Sequence, residues 1–137
     1  MPVVLVKIGD HYYHGLCDMG ASASAIPIDL YKEIMHDIAP AELEGIDVTI
    51  KLANRDTISP IGIVRDVEVL CGKIKYPTDF LVLGSPQDDF CPIIFGRPFL
   101  NTVNAKIDCE KQTVGVSFGD ESHEFNFSKF SRKPHQK

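Results

Sequence analysis

Short segments in which apolar and polar residues alternate recur along most of the chain, and turn residues end each of them. Residues 3–8 and 11–17 form the first such pair, separated by Gly9 and Asp10, so a β-hairpin is predicted there. The same period of two predicts strands further on; they span residues 47–52, 58–69, 74–76, 79–83, 92–95, 106–108, 113–118 and 123–127. Many short strands of this kind predict an all-β fold, closed into a barrel or packed as a sandwich.

Two short helical segments interrupt the strands. Residues 29–36 carry apolar side chains at positions 30, 31, 34 and 35, a spacing that is typical of a helix. Pro27 precedes this segment and suits the first turn of a helix, and Pro40 ends the region. A second short helix or turn is predicted from residue 97 to about residue 103.

Length and composition indicate one folded domain. The chain has 137 residues, of which 44% are hydrophobic and 24% are charged, so it carries enough apolar surface for a packed core. The domain is predicted over residues 1–127, followed by a polar and basic flexible tail over residues 128–137. No apolar stretch approaches the roughly 20 residues that cross a bilayer, so no membrane partner is expected.

Net charge and the spacing of the cysteines indicate which partners and which cellular compartment to expect. The net charge of −5 argues against nucleic acid as a partner of the domain, because a phosphate backbone attracts cations. The basic residues near the C-terminus leave nucleic-acid binding by the tail as an alternative. The cysteines are widely spaced and form no C-x-x-C pair, which predicts neither a zinc site nor a dense disulfide framework. A reducing, intracellular compartment is therefore expected.

Two motifs carry the chemistry. Asp18 ends an apolar strand and is followed directly by Met19-Gly20-Ala21-Ser22. A carboxylate in apolar surroundings costs free energy unless its charge is used. Further along the chain, the apolar run Ile93-Ile94-Phe95 stops at Gly96, which suits a buried strand that crosses closely under a loop.

The order of these parts resembles the retropepsin-like aspartic proteases: a hairpin, Asp-x-Gly-Ala-Ser, a long hairpin, apolar-apolar-Gly-Arg, a helix and a strand. The residues of these motifs are similar to those in the protease segment of plant gypsy-type LTR retrotransposon polyproteins. The likeness covers residues 3–127 and is carried by residues 17–22, 52–55, 62–64 and 94–100. It implies a closed, barrel-like acid protease fold with one lobe per chain.

The resemblance implies an aspartic endopeptidase that uses water directly, without metal or cofactor. Carboxyl catalysis needs one group to accept a proton from water and another to donate one to the substrate. The chain contains a single Asp-x-Gly-Ala-Ser, so the second acid is expected from another copy in a homodimer, and the monomer is expected to be inert. The implied substrate is an extended peptide of the element's own polyprotein, in the cytoplasm or within retroelement particles.

The resemblance also assigns roles to individual residues. Asp18 is the implied catalytic residue. Substrate binding falls to the loop after it and to a flap over the groove, namely Gly20, Ala21, Ser22, Leu52, Ala53 and Asn54. Support of the active loop falls to Met19, Ile94, Phe95, Gly96 and Arg97.

Two positions depart from the family pattern. Met19 stands where a Thr or Ser usually follows the catalytic Asp and bonds across the dimer. Ser22 stands where several retroviral members have an acid that pairs with the arginine. Arg97 is therefore expected to form either an ion pair or hydrogen bonds to the backbone. Met19 supports the alternative function, a protease-like module that dimerises or binds peptides without cutting them. The intact Asp18 and Gly20 count against it.

Simpler interpretations exist for the same residues. An aspartate before a glycine is an ordinary turn residue, and residues 93–95 taken alone are plain core. His11 and His14 near Asp18 suggest a metal site, but strand residues 11 and 14 point to opposite faces. The loop also approximates the elbow of a serine hydrolase, except that Ser24 stands where that motif requires glycine.

Overall fold

The computed structural model of the chain describes residues 2–37, 43–45, 50–51, 57–58, 60–84 and 92–127. Its strands and helices, in chain order, are β1 Val3–Ile8, β2 His11–Cys17, β3 Ser24–Pro27, α1 Ile28–Asp37, β4 Leu43–Glu44, β5 Ile50–Lys51, β6 Thr57–Ile58, β7 Gly62–Cys71, β8 Ile74–Leu83, β9 Ile93–Phe95, α2 Arg97–Thr102, β10 Lys106–Asp108, β11 Thr113–Phe118 and β12 Glu121–Asn126. Neither helix in these ranges is long and apolar enough to cross a membrane.

The main sheet closes into a barrel. Its strands follow the order β1-β2-β9-β3-β8-β7, and β7 returns to β1 through the pairs Val6↔Cys71 and Lys7↔Leu70. The short β4 pairs with β7 through Leu43↔Val64. Closure gives each barrel strand a neighbour on both sides over part of its length. The prediction of an all-β fold is confirmed, and the barrel is the form it takes.

The barrel core is filled by the alternate side chains of each strand that point inward. Along β1, the side chains of Val4, Val6 and Ile8 are buried in the core, as the period of two requires. Phe95 of β9 stacks on Phe99 of α2 with ring centroids 4.1 Å apart. Each buried side chain of this size stabilises the fold by about 1.5–3 kcal/mol through removal of apolar surface from water.

A second sheet, of three antiparallel strands, packs against the barrel. It has the order β10-β11-β12. One face of it, with Val114, Val116, Phe125 and Phe127, belongs to the same core as the barrel. The Ser117 N–H donates to the Val103 carbonyl oxygen at 2.7 Å and ties this sheet to the end of α2. The predicted tail at 128–137 lies outside the described residues.

Several boundaries differ from the prediction. The helix predicted over residues 29–36 is present as α1, and β3 before it is a strand that was not predicted. All four residues of β3 are buried, so it shows no alternation. The strand predicted over residues 58–69 is two strands, β6 and β7. The segments predicted at 74–76 and 79–83 form one strand, β8. Pro77 does not interrupt it, because within the described residues β8 pairs only with β7 at that position.

Candidate active site

The loop that carries Asp18 connects two strands that are not neighbours. β2 ends at Cys17, residues 18–23 form the loop, and β3 begins at Ser24. β9 lies between those two strands, parallel to β2 and antiparallel to β3. The loop therefore passes over the end of β9, where the next residue is Gly96. This inserted strand positions Asp18.

Three hydrogen bonds hold the Asp18 end of the loop. The backbone N–H of Asp18 donates to the carbonyl oxygen of Phe95 at 2.9 Å. The N–H of Gly20 donates to Oδ1 of Asp18 at 2.9 Å, and the N–H of Ala21 donates to the Asp18 carbonyl oxygen at 3.1 Å. The carboxylate thus forms the kind of turn expected of aspartate before glycine. Within the described ranges, its second oxygen, Oδ2, accepts no hydrogen bond.

Gly96 allows the close approach between β9 and the loop. A Cβ added to Gly96 would lie 2.5 Å from the Ala23 carbonyl oxygen and 2.9 Å from that of Ala21. The Gly96 N–H donates to Oγ of the buried Ser24 at 3.1 Å, and the Arg97 N–H donates to the Ala21 carbonyl oxygen at 2.9 Å. The prediction that the apolar run crosses closely under a loop is confirmed.

Arg97 braces the loop from its other side. It is the first residue of α2 and follows Gly96, the N-cap of that helix. Its Nη1 donates to the carbonyl oxygen of Met19 at 3.2 Å. Of the two roles left open for Arg97, the structure shows the bond to backbone.

The middle of the loop faces solvent. Met19 is 50% exposed. Gly20 and Ser22 are exposed as well, whereas Asp18 and Ala21 are partly buried. The loop residues predicted to bind substrate therefore lie with Asp18 on one accessible surface.

A small apolar cluster lies beside the loop and is separate from the barrel core. Phe80 and Val82 of β8 belong to the core, whereas Leu81 and Leu83 belong to this second cluster. Successive side chains of a strand point to opposite faces, so the cluster lies on the outer face of the barrel. We name it the apolar wall; it consists of Ala23, Ala25, Ile63, Leu81, Leu83 and Ile94. Ala23 is the last residue of the loop, so the wall adjoins the surface that holds Asp18.

The remaining predicted site residues have mixed placements. The backbone of Ile94 pairs with β2 and β3, and its side chain packs in the apolar wall, to which the loop residue Ala23 also belongs. The Phe95 side chain is buried in the barrel core. Leu52, Ala53 and Asn54, the predicted flap residues, lie outside the described residues. The strands on either side of them, β5 and β6, pair antiparallel, as a hairpin requires.

Sequence reasoning missed two parts of this site. Ser24 entered the sequence analysis only as the residue that excludes a serine-hydrolase elbow. In the structure its buried hydroxyl accepts a hydrogen bond from the Gly96 N–H. A small polar residue within an apolar segment is a signal for such a buried bond. The apolar wall was also missed, because its members come from four strands and a loop and adjoin only in the folded chain.

Metal ligands and reactive thiols are not concentrated at the loop. Within the described ranges, no group of three or more His, Cys, Asp or Glu side chains could hold a metal ion. Cys17, next to Asp18, is a buried cysteine, and Cys109 is an exposed one. Burial raises the pKa of the Cys71 thiol to about 12, which keeps it protonated and unreactive at neutral pH.

Comparisons with known proteins identify the architecture. No protein-family model matches the chain, and no curated protein matches it in sequence. Among solved structures, the retroviral protease-like domain of Ddi1 from Leishmania major superposes with a TM-score of 0.62 at 18% identity, over 89% of this chain and 90% of that one. The EIAV protease, complexed with the inhibitor HBY-793, superposes with a TM-score of 0.60 at 20% identity, over 78% of this chain and 91% of that one.

These similarities establish the fold. The chain has the retropepsin-like, all-β architecture, with a closed barrel and two short helices. Residues 18–22, Asp-Met-Gly-Ala-Ser, occupy the loop between β2 and β3 of that fold.

Proposed function

We propose that this chain is an aspartic endopeptidase that is active as a homodimer, with Asp18 of each copy as the catalytic residue. The observation that carries the proposal is the placement of Asp18. Its carboxylate is partly exposed and held by the Gly20 N–H at 2.9 Å, on a loop braced by Phe95, Gly96 and Arg97. An acid that served only as a turn residue would not need this bracing from a distant strand and helix.

A homodimer is proposed because the chemistry needs two carboxyl groups. The chain contains one Asp-x-Gly-Ala-Ser motif. A second copy related by a two-fold axis would supply the same residue from the same loop. The exposed middle of the loop, with Met19 half exposed, leaves Asp18 accessible to such a partner.

Peptide hydrolysis by this pair needs one ionised and one protonated carboxyl. The ionised carboxylate takes a proton from water as the water oxygen attacks the scissile carbonyl carbon. The protonated carboxyl donates its proton to the carbonyl oxygen, which gives a tetrahedral diol. The C–N bond then breaks as the amine nitrogen takes the proton that the first carboxyl received from water, and a diol hydroxyl returns a proton to the second carboxylate. Two adjacent carboxyls share one proton because both cannot ionise at short distance. Activity is therefore expected to peak at mildly acidic pH.

The proposed substrate is an extended peptide. Ala23, Ile63 and Ile94 are the partly exposed members of the apolar wall, and they provide apolar contacts for its side chains. The similarity of residues 17–22 and 94–100 to gypsy-type retrotransposon proteases supports the element's own polyprotein as the natural substrate. Such a role would place the protein in the cytoplasm or in retroelement particles.

One observation favours a second candidate function. Met19 follows Asp18 directly, is 50% exposed and has no hydroxyl with which to bond across a dimer. A retropepsin-like module that dimerises or binds peptides without cutting them would tolerate this residue. Loss of cleavage with retention of dimerisation is its signature.

The test is cleavage of an unstructured polypeptide. We expect the concentrated wild-type protein to cleave reduced, alkylated casein from mildly acidic to neutral pH, and a pepstatin-type inhibitor to suppress the cleavage. Asp18→Asn should abolish cleavage, because the amide can neither accept nor donate the catalytic proton. Fragment formation followed by mass spectrometry measures both.

Asp10→Asn is the matched control, since Asp10 is an exposed aspartate in the turn at the opposite end of β2. It should cleave casein like the wild type. Absence of cleavage at every pH, in a protein that sedimentation shows to be dimeric, would contradict the protease and leave the binding module.

A further inference from the structure

A cleft of about 340 Å³ opens beside the Asp18 loop and extends away from it, between β8 and the start of α2. We name it the side cleft. Its lining includes Ala23, Ile63, Asp66, Tyr76, Asp79 and Leu81.

The cleft exists because β3 is shorter than β8. The two strands pair only from Ser24↔Phe80 to Pro27↔Leu83. In the described part of the chain, the earlier stretch of β8 that includes Tyr76 and Asp79 pairs with β7 on one side only. Pro98 and Phe99 of α2 line the cleft as well. The side cleft is thus a groove along an unpaired strand edge.

The side cleft is continuous with the apolar wall. Ala23, Ile63 and Leu81 belong to both. A peptide whose side chain lies on the wall can therefore place its neighbouring residues in the cleft. Tyr76 forms a firm part of the lining, because its ring packs edge-on against Phe99, with centroids 6.5 Å apart.

The far end of the side cleft is acidic. Oδ1 of Asp79 accepts the Asp66 N–H at 2.9 Å, and Oδ2 of Asp79 pairs with Nη1 of Arg65 at 3.3 Å. Arg65 also pairs with Glu44 at 3.0 Å, so two carboxylates share one guanidinium. Within the described residues, the Asp66 carboxylate has no hydrogen-bond or ion-pair partner.

A β-bulge places Asp66 at this position. The register between β7 and β8 shifts between Val64 and Val67, and Asp66 adopts a positive φ of 57° within the bulge. Bulges redirect the side chains of a strand. Here the result is an unpaired carboxylate that lines the cleft.

We propose that the side cleft binds a lysine or arginine side chain of the peptide that lies on the apolar wall; this rests on the proposed function. The aliphatic stem of the basic residue packs on the partly exposed Ile63, and its cation reaches the exposed Asp66 carboxylate. Among the described residues that line the cleft, Asp66 and Asp79 carry carboxylates and none has a basic side chain, which selects a cation over a neutral side chain. The protein then prefers peptides with a basic residue near the scissile bond.

Binding is tested without requiring cleavage. The probes are acetyl-Leu-Lys-Leu-amide and the same peptide with norleucine in place of lysine, titrated into the ¹⁵N-labelled Asp18→Asn protein. The lysine peptide should shift the amide resonances of Asp66 and Asp79 saturably, with an affinity roughly tenfold above that of the norleucine peptide. Asp66→Asn should remove this preference.

Glu68→Gln is the matched control, because Glu68 is an exposed carboxylate of the same strand that does not line the side cleft. It should bind both peptides as the parent does. Equal affinity for the two peptides, or equal loss in both variants, would overturn the proposal. The test measures binding, so it gives a result even if the protein has no protease activity. If the protein cleaves casein but binds the two peptides equally, the proposed lysine site is refuted while the proposed protease function stands.

Discussion

Gly96 shows how one residue decides the geometry of the site. Its missing side chain lets the carbonyl oxygens of Ala21 and Ala23 approach to distances that no Cβ tolerates. The neighbouring N–H groups of Gly96 and Arg97 then bond to Ser24 and Ala21 and lock the loop over β9. The position of Asp18 is therefore a consequence of close backbone packing further along the chain.

Gly96→Ala should destabilise the protein by about 1–3 kcal/mol, because the loop backbone has to move away from the added methyl group. Urea denaturation measures the free energy of unfolding. Gly45→Ala is the control, because a Cβ at Gly45 would meet nothing within 4 Å. The control should stay within about 0.5 kcal/mol of wild type. Equal stability of both variants would show that the loop yields without cost.

At the scale of elements, the predicted strands are those that show alternation or end at clear turns. The hairpin of β1 and β2 has a one-to-one register from Val3↔Leu16 to Ile8↔His11, as its turn at Gly9 predicts. β3 was missed because a strand covered on both sides has no polar face. β4 was missed because it has only two residues.

Cys71 lies at the seam that closes the barrel, where it pairs with Val6 of β1. Burial disfavours the thiolate and raises the Cys71 pKa from 9.0 to about 12. The unfolded chain therefore releases this proton at lower pH than the folded one. Stability from the buried thiol is complete below pH 9.0 and is lost as pH rises towards about 12.

Cys71→Ala should therefore flatten the alkaline decline in the free energy of unfolding, although its stability at neutral pH will be lower because the deletion leaves a cavity. Urea titrations at a series of alkaline pH values measure the slope. Cys109→Ala, at an exposed cysteine, should keep the wild-type slope. A Cys71→Ala slope equal to that of wild type would rule out the seam thiol as its source.

At the scale of the whole molecule, the barrel is complete in one chain while the proposed catalytic pair is not. Strand pairing closes the ring through β7 and β1 without help from a partner. The Asp18 loop remains partly open to solvent. Folding and catalysis are thus expected to respond differently to protein concentration.

Mixing wild-type protein with Asp18→Asn tests whether two copies share one site. If dimers form at random and need both aspartates, an equal mixture has about one quarter of the activity of wild type at the same total concentration. Casein cleavage after equilibration of the mixture provides the measurement. The Asp10→Asn protein, mixed in the same way, should cause no loss. Activity that falls only in proportion to the wild-type fraction would mean that each chain acts alone.

The β-class of the fold and the candidate catalytic residue were predictable from the sequence, because alternation and the Asp-Met-Gly-Ala-Ser motif are local patterns. Tertiary structure alone decided the insertion of β9 between β2 and β3, the closure of the barrel and the apolar wall. It also brought Asp66 and Asp79 into a common cleft. These features join residues far apart in sequence, and which distant segments pair depends on the packing of the whole chain and not on any local pattern.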